Sequence, residues 1–258
     1  MINDLIYQVN TALDLTAYNR SLIQFINMTN RKVPLCRTAE QRPAESNNQY
    51  RSLKFPDYAF GGDEFPINNA PRIKRNRSAL EFQSCAHPLS SDTFKKVIAE
   101  CFFEGEISGQ PIRPYASGGA LYSVIPIIHV RNVEGFDPAV YAVRPKKYAI
   151  ELISSPSQDE INREVFIGKS QGLESYDFFI LYCLIAASPI SKYADRGLKL
   201  AIIEAGGASH LVESKSQEFG LSGCIWGGFY EEPLAIVFNI DCRALWPIIG
   251  QFVGRLKL

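Results

Sequence analysis

The chain has 258 residues, 46% of them hydrophobic and 21% charged, a composition that supports a full hydrophobic core and excludes an intrinsically disordered chain. Lys plus Arg and Asp plus Glu both number 27, so no global field draws nucleic acid or an anionic membrane surface. The opening MINDLIYQVNTALDL has no basic n-region and no stretch reaches the roughly 18 uninterrupted apolar residues of a membrane span, which predicts a cytoplasmic protein.

In chain order, residues 1–70 read differently from the rest. An amphipathic stretch from Leu15 to Met28 leads into the polar run RTAEQRPAESNNQYRS, whose lack of periodicity predicts an exposed connection. A helix is signalled where Ser90 and Ser91 precede Phe94, Val97, Ile98, Cys101 and Phe102. Their three- and four-residue spacing makes one apolar face, and a serine caps its start. SVIPIIHV and AVYAVRP are rich in β-branched residues and predict strands, a charged helix covers about 157–166, and DFFILYCLIA predicts a buried strand. A long central helix is expected from Tyr193 to Glu218, carried by Leu198, Ile202, Ala205, Leu211 and Phe219 and stopped by Gly220. Inside it Gly206 and Gly207 each cost about 1 kcal/mol relative to Ala, so a close approach of a helix or a flat ligand is expected there. GCIWGGF reads as a glycine-punctuated turn and IIGQFVGRL as a closing strand. The alternation of strands and helices predicts an α/β or α+β fold.

Six cysteines (Cys36, Cys85, Cys101, Cys183, Cys224, Cys242) form no CxxC pair, and three histidines are scattered. The pattern predicts free thiols in the core and no zinc site.

Four segments carry candidate chemistry. In RPYASGGALY, Arg113 and Pro114 lead into Ser117, Gly118 and Gly119. Small residues there expose backbone amides to the hydrogen-bonding edge of a planar ring, although a glycine pair after proline also makes an ordinary turn. Arg72, Lys74, Arg75 and Arg77 before Ser78 suit a phosphate, or form a solvated basic face. Lys192 and Tyr193 directly follow ASPIS, read as a loop, where the N-terminus of the long helix would favour their deprotonated forms and hence proton transfer; side by side, they also fit a plain surface. Trp226, Gly227, Gly228 and Phe229 lay a main chain against an aromatic ring or turn tightly between strands. No GxGxxG, Walker loop, HExxH or GxSxG is present, which removes the usual nucleotide, metalloprotease and serine hydrolase readings.

RPYASGGALYS, SKYADRGLKLAIIEAGG and GLSGCIWGGFYEEPL, in this order, resemble the SagB/McbC-type azoline dehydrogenases of thiazole/oxazole-modified peptide synthetases, a branch of the FMN-binding nitroreductase superfamily. The resemblance covers about 75–256, and WPIIGQFVG is similar to the family's closing strand. It implies an α+β fold with a mainly antiparallel sheet flanked by helices over 71–258, preceded by an extension (1–70) of unassigned role. It further implies FMN at a homodimer interface, azoline rings of a ribosomally made precursor peptide as substrate, and cyclodehydratase subunits as partners. The family's adjacent Lys and Tyr fall on Lys192 and Tyr193 as proton-removing base. Its phosphate segment falls on Asn76, Arg77 and Ser78, with Arg75 or Arg113 as supplementary cations, and its ring-contacting loop on Ser117, Gly118 and Gly119. Gly227 and Gly228 are further candidate flavin contacts. The chain departs from the family at Leu80, where a basic residue is frequent, and at His210 and Leu211, where Gln and Asn are frequent; His210 retains one donor. A general NAD(P)H-dependent nitro or quinone reductase, and a flavin-free structural subunit, are the alternative readings.

Overall fold

The computed structural model describes residues 78–79, 81–84, 87–165 and 173–256, all within one of the two compact units into which the chain divides. The Leu15–Met28 stretch, the polar run, the boundary near residue 70, Arg75, Arg77 and Leu80 lie outside these residues. Helix α1 (Ser91–Phe102) starts where the Ser90 Oγ accepts from the Thr93 backbone N–H at 3.2 Å. It buries Phe94, Val97, Ile98, Cys101 and Phe102, the face its spacing predicts. A small hairpin follows, β1 (Gly105–Ile107) and β2 (Gln110–Ile112), exposed along its length.

The main sheet has six strands: β3 (Val124–Val130), β4 (Ala139–Arg144), β5 (Ala149–Ser154), β6 (Phe178–Leu184), β7 (Leu221–Trp226) and β8 (Trp246–Arg255). Their order is β5-β4-β3-β6-β8-β7 and every adjacent pair is antiparallel. Alternation along β6 divides the core. Phe178, Ile180 and Tyr182 join one cluster with α1 and the central helix, while Phe179, Leu181 and Cys183 join a second with α2 (Gln158–Val165) and α5 (Glu231–Val237). All seven residues of β6 are buried, which is why its sequence is one unbroken apolar run. The GCIW segment belongs to strand β7 and not to a turn; Gly227, Gly228 and Phe229 follow the strand.

The helical region differs from expectation at its start. ASPIS is not a loop: α3 spans Ala187–Tyr193, and the long helix α4 spans Asp195–Glu218. Pro189 is the third residue of α3, within the first turn, where a missing backbone N–H costs no intrahelical bond. Between the helices Ala194 has φ 50, ψ −140. Gly197 lets α4 leave at this angle, since a Cβ there would sit 3.0 Å from the Ile190 backbone N and collide with Pro189 O. The buried stripe of α4 is Gly197, Ala201, Glu204, Ala205, Ala208, Ser209, Val212 and Ser216, whereas Ile202 is exposed. Gly220 ends the helix at φ 72.

Of the cysteines, Cys101 and Cys183 are buried as free thiols and Cys224 and Cys242 are partly buried. Burial pushes the Cys101 and Cys242 thiols up to about 12.

Candidate functional site

The site is organised around the segment between β2 and β3. Ser117 enters a single 3₁₀ turn, Gly118–Ala120, in which Gly119 has φ 65; Ala120 (φ 54) and Tyr122 (φ 48) also adopt the left-handed region. The amides of Gly118 and Gly119 lie in the first turn, where helical geometry provides no acceptor. Glu204 of α4, only 2% exposed, holds both ends of this segment. It accepts from Ser117 Oγ at 2.6 Å, Ser123 Oγ at 3.3 Å and the Val124 backbone N–H at 2.9 Å. Tyr122 N–H donates to Ser117 Oγ at 2.8 Å. At Gly118 a Cβ would approach Leu200 Cδ1 to 2.9 Å, so the turn lies directly against α4.

Lys192 and Tyr193 meet this turn at Gly119. Lys192 Nζ donates to the Gly119 carbonyl at 3.4 Å and lies 5.4 Å from the Tyr193 ring centroid. A Cβ on Gly119 would be 2.8 Å from Lys192 Nζ and would collide with the Tyr193 hydroxyl. Lys192 is exposed and Tyr193 half-buried, so solvent reaches the pair. The pair closes the C-terminal end of α3 rather than opening the long helix, so the helix N-terminus argument for its deprotonation does not hold.

Other candidates take different positions. Arg113 is buried: its Nη1 donates to Tyr115 Oη at 3.1 Å and Val124 O at 3.4 Å, its Nε is 3.7 Å from Glu104 Oε1, and the guanidinium stacks 5.0 Å over the Tyr122 ring. It is a strut beneath the turn. Burial raises the Tyr115 hydroxyl pKa, opposed by the Arg113 charge. His210 is exposed on α4, a turn beyond Gly206 and Gly207. Gly227 is exposed, and Gly228 packs against the Trp226 ring, whose Nε1 donates to Val165 O at 2.7 Å. Ser78 is exposed beside the end of the sheet, where Ala79 N–H donates to Gly223 O at 2.9 Å. Thus Ser117, Gly118, Gly119, Lys192 and Tyr193 converge, but the Ser117 hydroxyl is committed to Glu204. Sequence reasoning missed Glu204. Its signal was a lone carboxylate in the stripe Ala201, Glu204, Ala205, Ala208, at the spacing of one helix face.

An antiparallel six-stranded sheet covered by helices, with a small-residue turn facing a Lys–Tyr pair, defines a nitroreductase-like fold. Structural comparison finds the Escherichia coli microcin synthetase McbBCD complex with truncated pro-MccB17 bound, at TM-score 0.83 and 23% identity over 98% of both chains. By sequence the chain is 28% identical over 196 residues to the E. coli microcin B17-processing protein McbC, spanning 74% of this chain and 72% of McbC. It is 24% identical over 187 residues to MJ1384, a Methanocaldococcus jannaschii protein assigned as a nitroreductase, over 71% and 88% of the two chains. No family model matches. The chain has a nitroreductase-like fold and is similar in sequence to McbC. Among the described residues no helix is long and apolar enough to cross a membrane.

Proposed function

We propose that the protein is an FMN-dependent dehydrogenase that oxidises thiazoline or oxazoline rings of a ribosomally made precursor peptide to thiazole or oxazole. The observation that carries this reading is the contact of Gly119 with both Lys192 and Tyr193, which brings a turn with free amides against a proton-transfer pair. The similarity to McbC supports the same class of substrate and a place in a synthetase beside cyclodehydratase subunits.

The residues of the turn fit a flavin. Gly119 lets Lys192 and Tyr193 close directly on the turn, and the Gly118 and Gly119 amides can serve the edge of a planar ring. Residues 71–258 would form the FMN-binding domain, with 1–70 as an extension; Arg75, Arg77 and Ser78 are assigned to the phosphate. When bound, FMN supplies the hydride acceptor. Lys192 Nζ and the Tyr193 hydroxyl take the proton from the ring carbon, so that loss of one hydride and one proton converts azoline to azole. The Gly119 carbonyl orients the Lys192 amino group, which acts as base in its free-amine form. Gly206 and Gly207 leave a bare strip on the exposed face of α4, with nothing among the described residues within 4 Å of a Cβ built on either, which favours a homodimer packed along that helix.

The test mixes purified protein anaerobically with an azoline-containing peptide or with NADPH. Bleaching of the flavin band by the peptide is expected; bleaching by NADPH alone assigns a general nitro or quinone reductase, and absence of any flavin band assigns a structural subunit. Lys192→Ala and Tyr193→Phe are expected to keep their flavin and slow azole formation by about 10² to 10⁴. Oxidation at the wild-type rate by both variants removes the pair from the chemistry.

A further inference from the structure

We propose that Glu204 is the positioning residue of this site, a buried carboxylate that clamps the Ser117–Ala120 turn so that Gly119 receives Lys192 and Tyr193. The inference rests on the dehydrogenase reading of that pair, and its test is chosen to be read separately. Glu204 is 2% exposed. Among the described residues its carboxylate has no Lys or Arg partner. A buried carboxylate without a cation is costly unless its oxygens are satisfied by donors. All the donors recorded here come from one segment: Oε2 accepts from Ser117 and Ser123, and Oε1 from the Val124 amide.

The segment so held is one that an unaided chain avoids. Gly119, Ala120 and Tyr122 all have positive φ, and non-glycine residues persist there only where their surroundings over-determine them. The clamp grips the chain before the turn, at Ser117, and after it, at Ser123 and Val124. Tyr122 N–H adds to the hold through Ser117 Oγ. Between these grips stands Gly119, whose carbonyl receives Lys192 Nζ at 3.4 Å and whose Cα faces the Tyr193 hydroxyl. α4 begins at Asp195, two residues after Tyr193, so one rigid helix carries the clamp and begins where the pair ends. Glu204 therefore acts on the pair through the turn.

The test is competitive labelling of the intact protein with an amine-acylating reagent, read by peptide mass spectrometry in wild type, Glu204→Gln, Glu204→Ala and Ser117→Ala. Lys95 and Lys146 of the same molecules serve as internal standards. Glutamine keeps a carbonyl for the Val124 amide and an NH₂ for the Ser117 hydroxyl, and should restore the wild-type ratio. Alanine should raise Lys192 labelling at least about threefold over the standards, the order expected for loss of one weak hydrogen bond. With azoline peptide as substrate, kcat should fall in Glu204→Ala while KM changes little. A Lys192 ratio unchanged in a folded Glu204→Ala protein overturns the proposal. If that variant does not fold, Ser117→Ala is read by the same criterion. A wild-type protein inactive on azolines would overturn the dehydrogenase reading, and the labelling ratios would still decide the role of Glu204.

Discussion

Gly119 combines two constraints that substitution cannot separate: a left-handed backbone at φ 65 and a Cα that faces Tyr193 and Lys192. Gly119→Ala should therefore displace the pair while the core, which does not include this residue, stays intact. We expect azole formation to fall at least about tenfold with the melting temperature within a few degrees of wild type, measured by peptide mass spectrometry and circular dichroism. His129 gives a prediction of another kind. It is buried with its Nδ1 2.9 Å from the Tyr176 hydroxyl, and burial, assisted by the Arg131 charge, lowers its pKa to about 4. Between that value and the ordinary 6.5 the unfolded chain binds more protons than the folded one, so the contribution is fully present above pH 6.5 and is lost as pH falls toward 4. The difference corresponds to about 3 kcal/mol. Urea unfolding at pH 7, 6 and 5 should show this slope in wild type, and His129→Gln should flatten it. At this scale the glycines and the Lys–Tyr pair could be singled out by residue type, and the structure brings them together at Gly119. Glu204 and the strut role of Arg113 were not legible in the sequence, because burial and hydrogen-bond partners are set by segments distant in sequence.

Among the elements, those with one large apolar face were readable in advance. The cap at Ser90 and the spacing from Phe94 to Phe102 define α1, and the unbroken run of β6 follows from burial on both faces. The readings that failed share a cause, which is that the packing uses small residues. Pro189 and its neighbours suggested a loop but form α3, and α4 buries alanines, serines and a glycine while exposing Ile202 at 47% and Ile203 at 69%. Of the apolar register expected for this helix, Leu198, Ala205, Leu211 and Phe219 pack on the core, and Ile202 alone faces outward. Gly206 and Gly207 drew notice by their cost in a helix, yet the glycine that needs its smallness against the described structure is Gly197. Gly197→Ala should push α4 off the Pro189–Ile190 backbone and destabilise the protein by about 1–3 kcal/mol, seen as a lower denaturant midpoint with unchanged slope. An unchanged midpoint would mean that the α3–α4 junction yields easily.

The molecule as a whole carries zero formal charge, so no net self-repulsion opposes association. The exposed face of α4, with Ile202, Ile203, Gly206 and Gly207, suits a second copy of the chain. Gly206→Leu should therefore convert a dimer to a monomer in analytical ultracentrifugation and release flavin at the same time; a flavin-loaded wild-type monomer would argue against the dimer. Deletion of residues 1–70 should abolish co-purification with a tagged cyclodehydratase while the remaining protein keeps its flavin. Full-strength capture of the truncated chain would take that segment out of the interface.

The strand order also bears on how the chain comes off the ribosome. β8, the last described strand, lies between β6 and β7 and pairs with both. Until residue 255 has emerged, β7 has no place in the sheet and β6 presents a bare edge flanked by aromatic side chains. Until then β3 to β6 form an incomplete sheet with an open, aggregation-prone seam. The ten-residue strand β8 is the piece that zips that seam shut, so a pause in translation before β8 emerges leaves an intermediate for chaperones to guard.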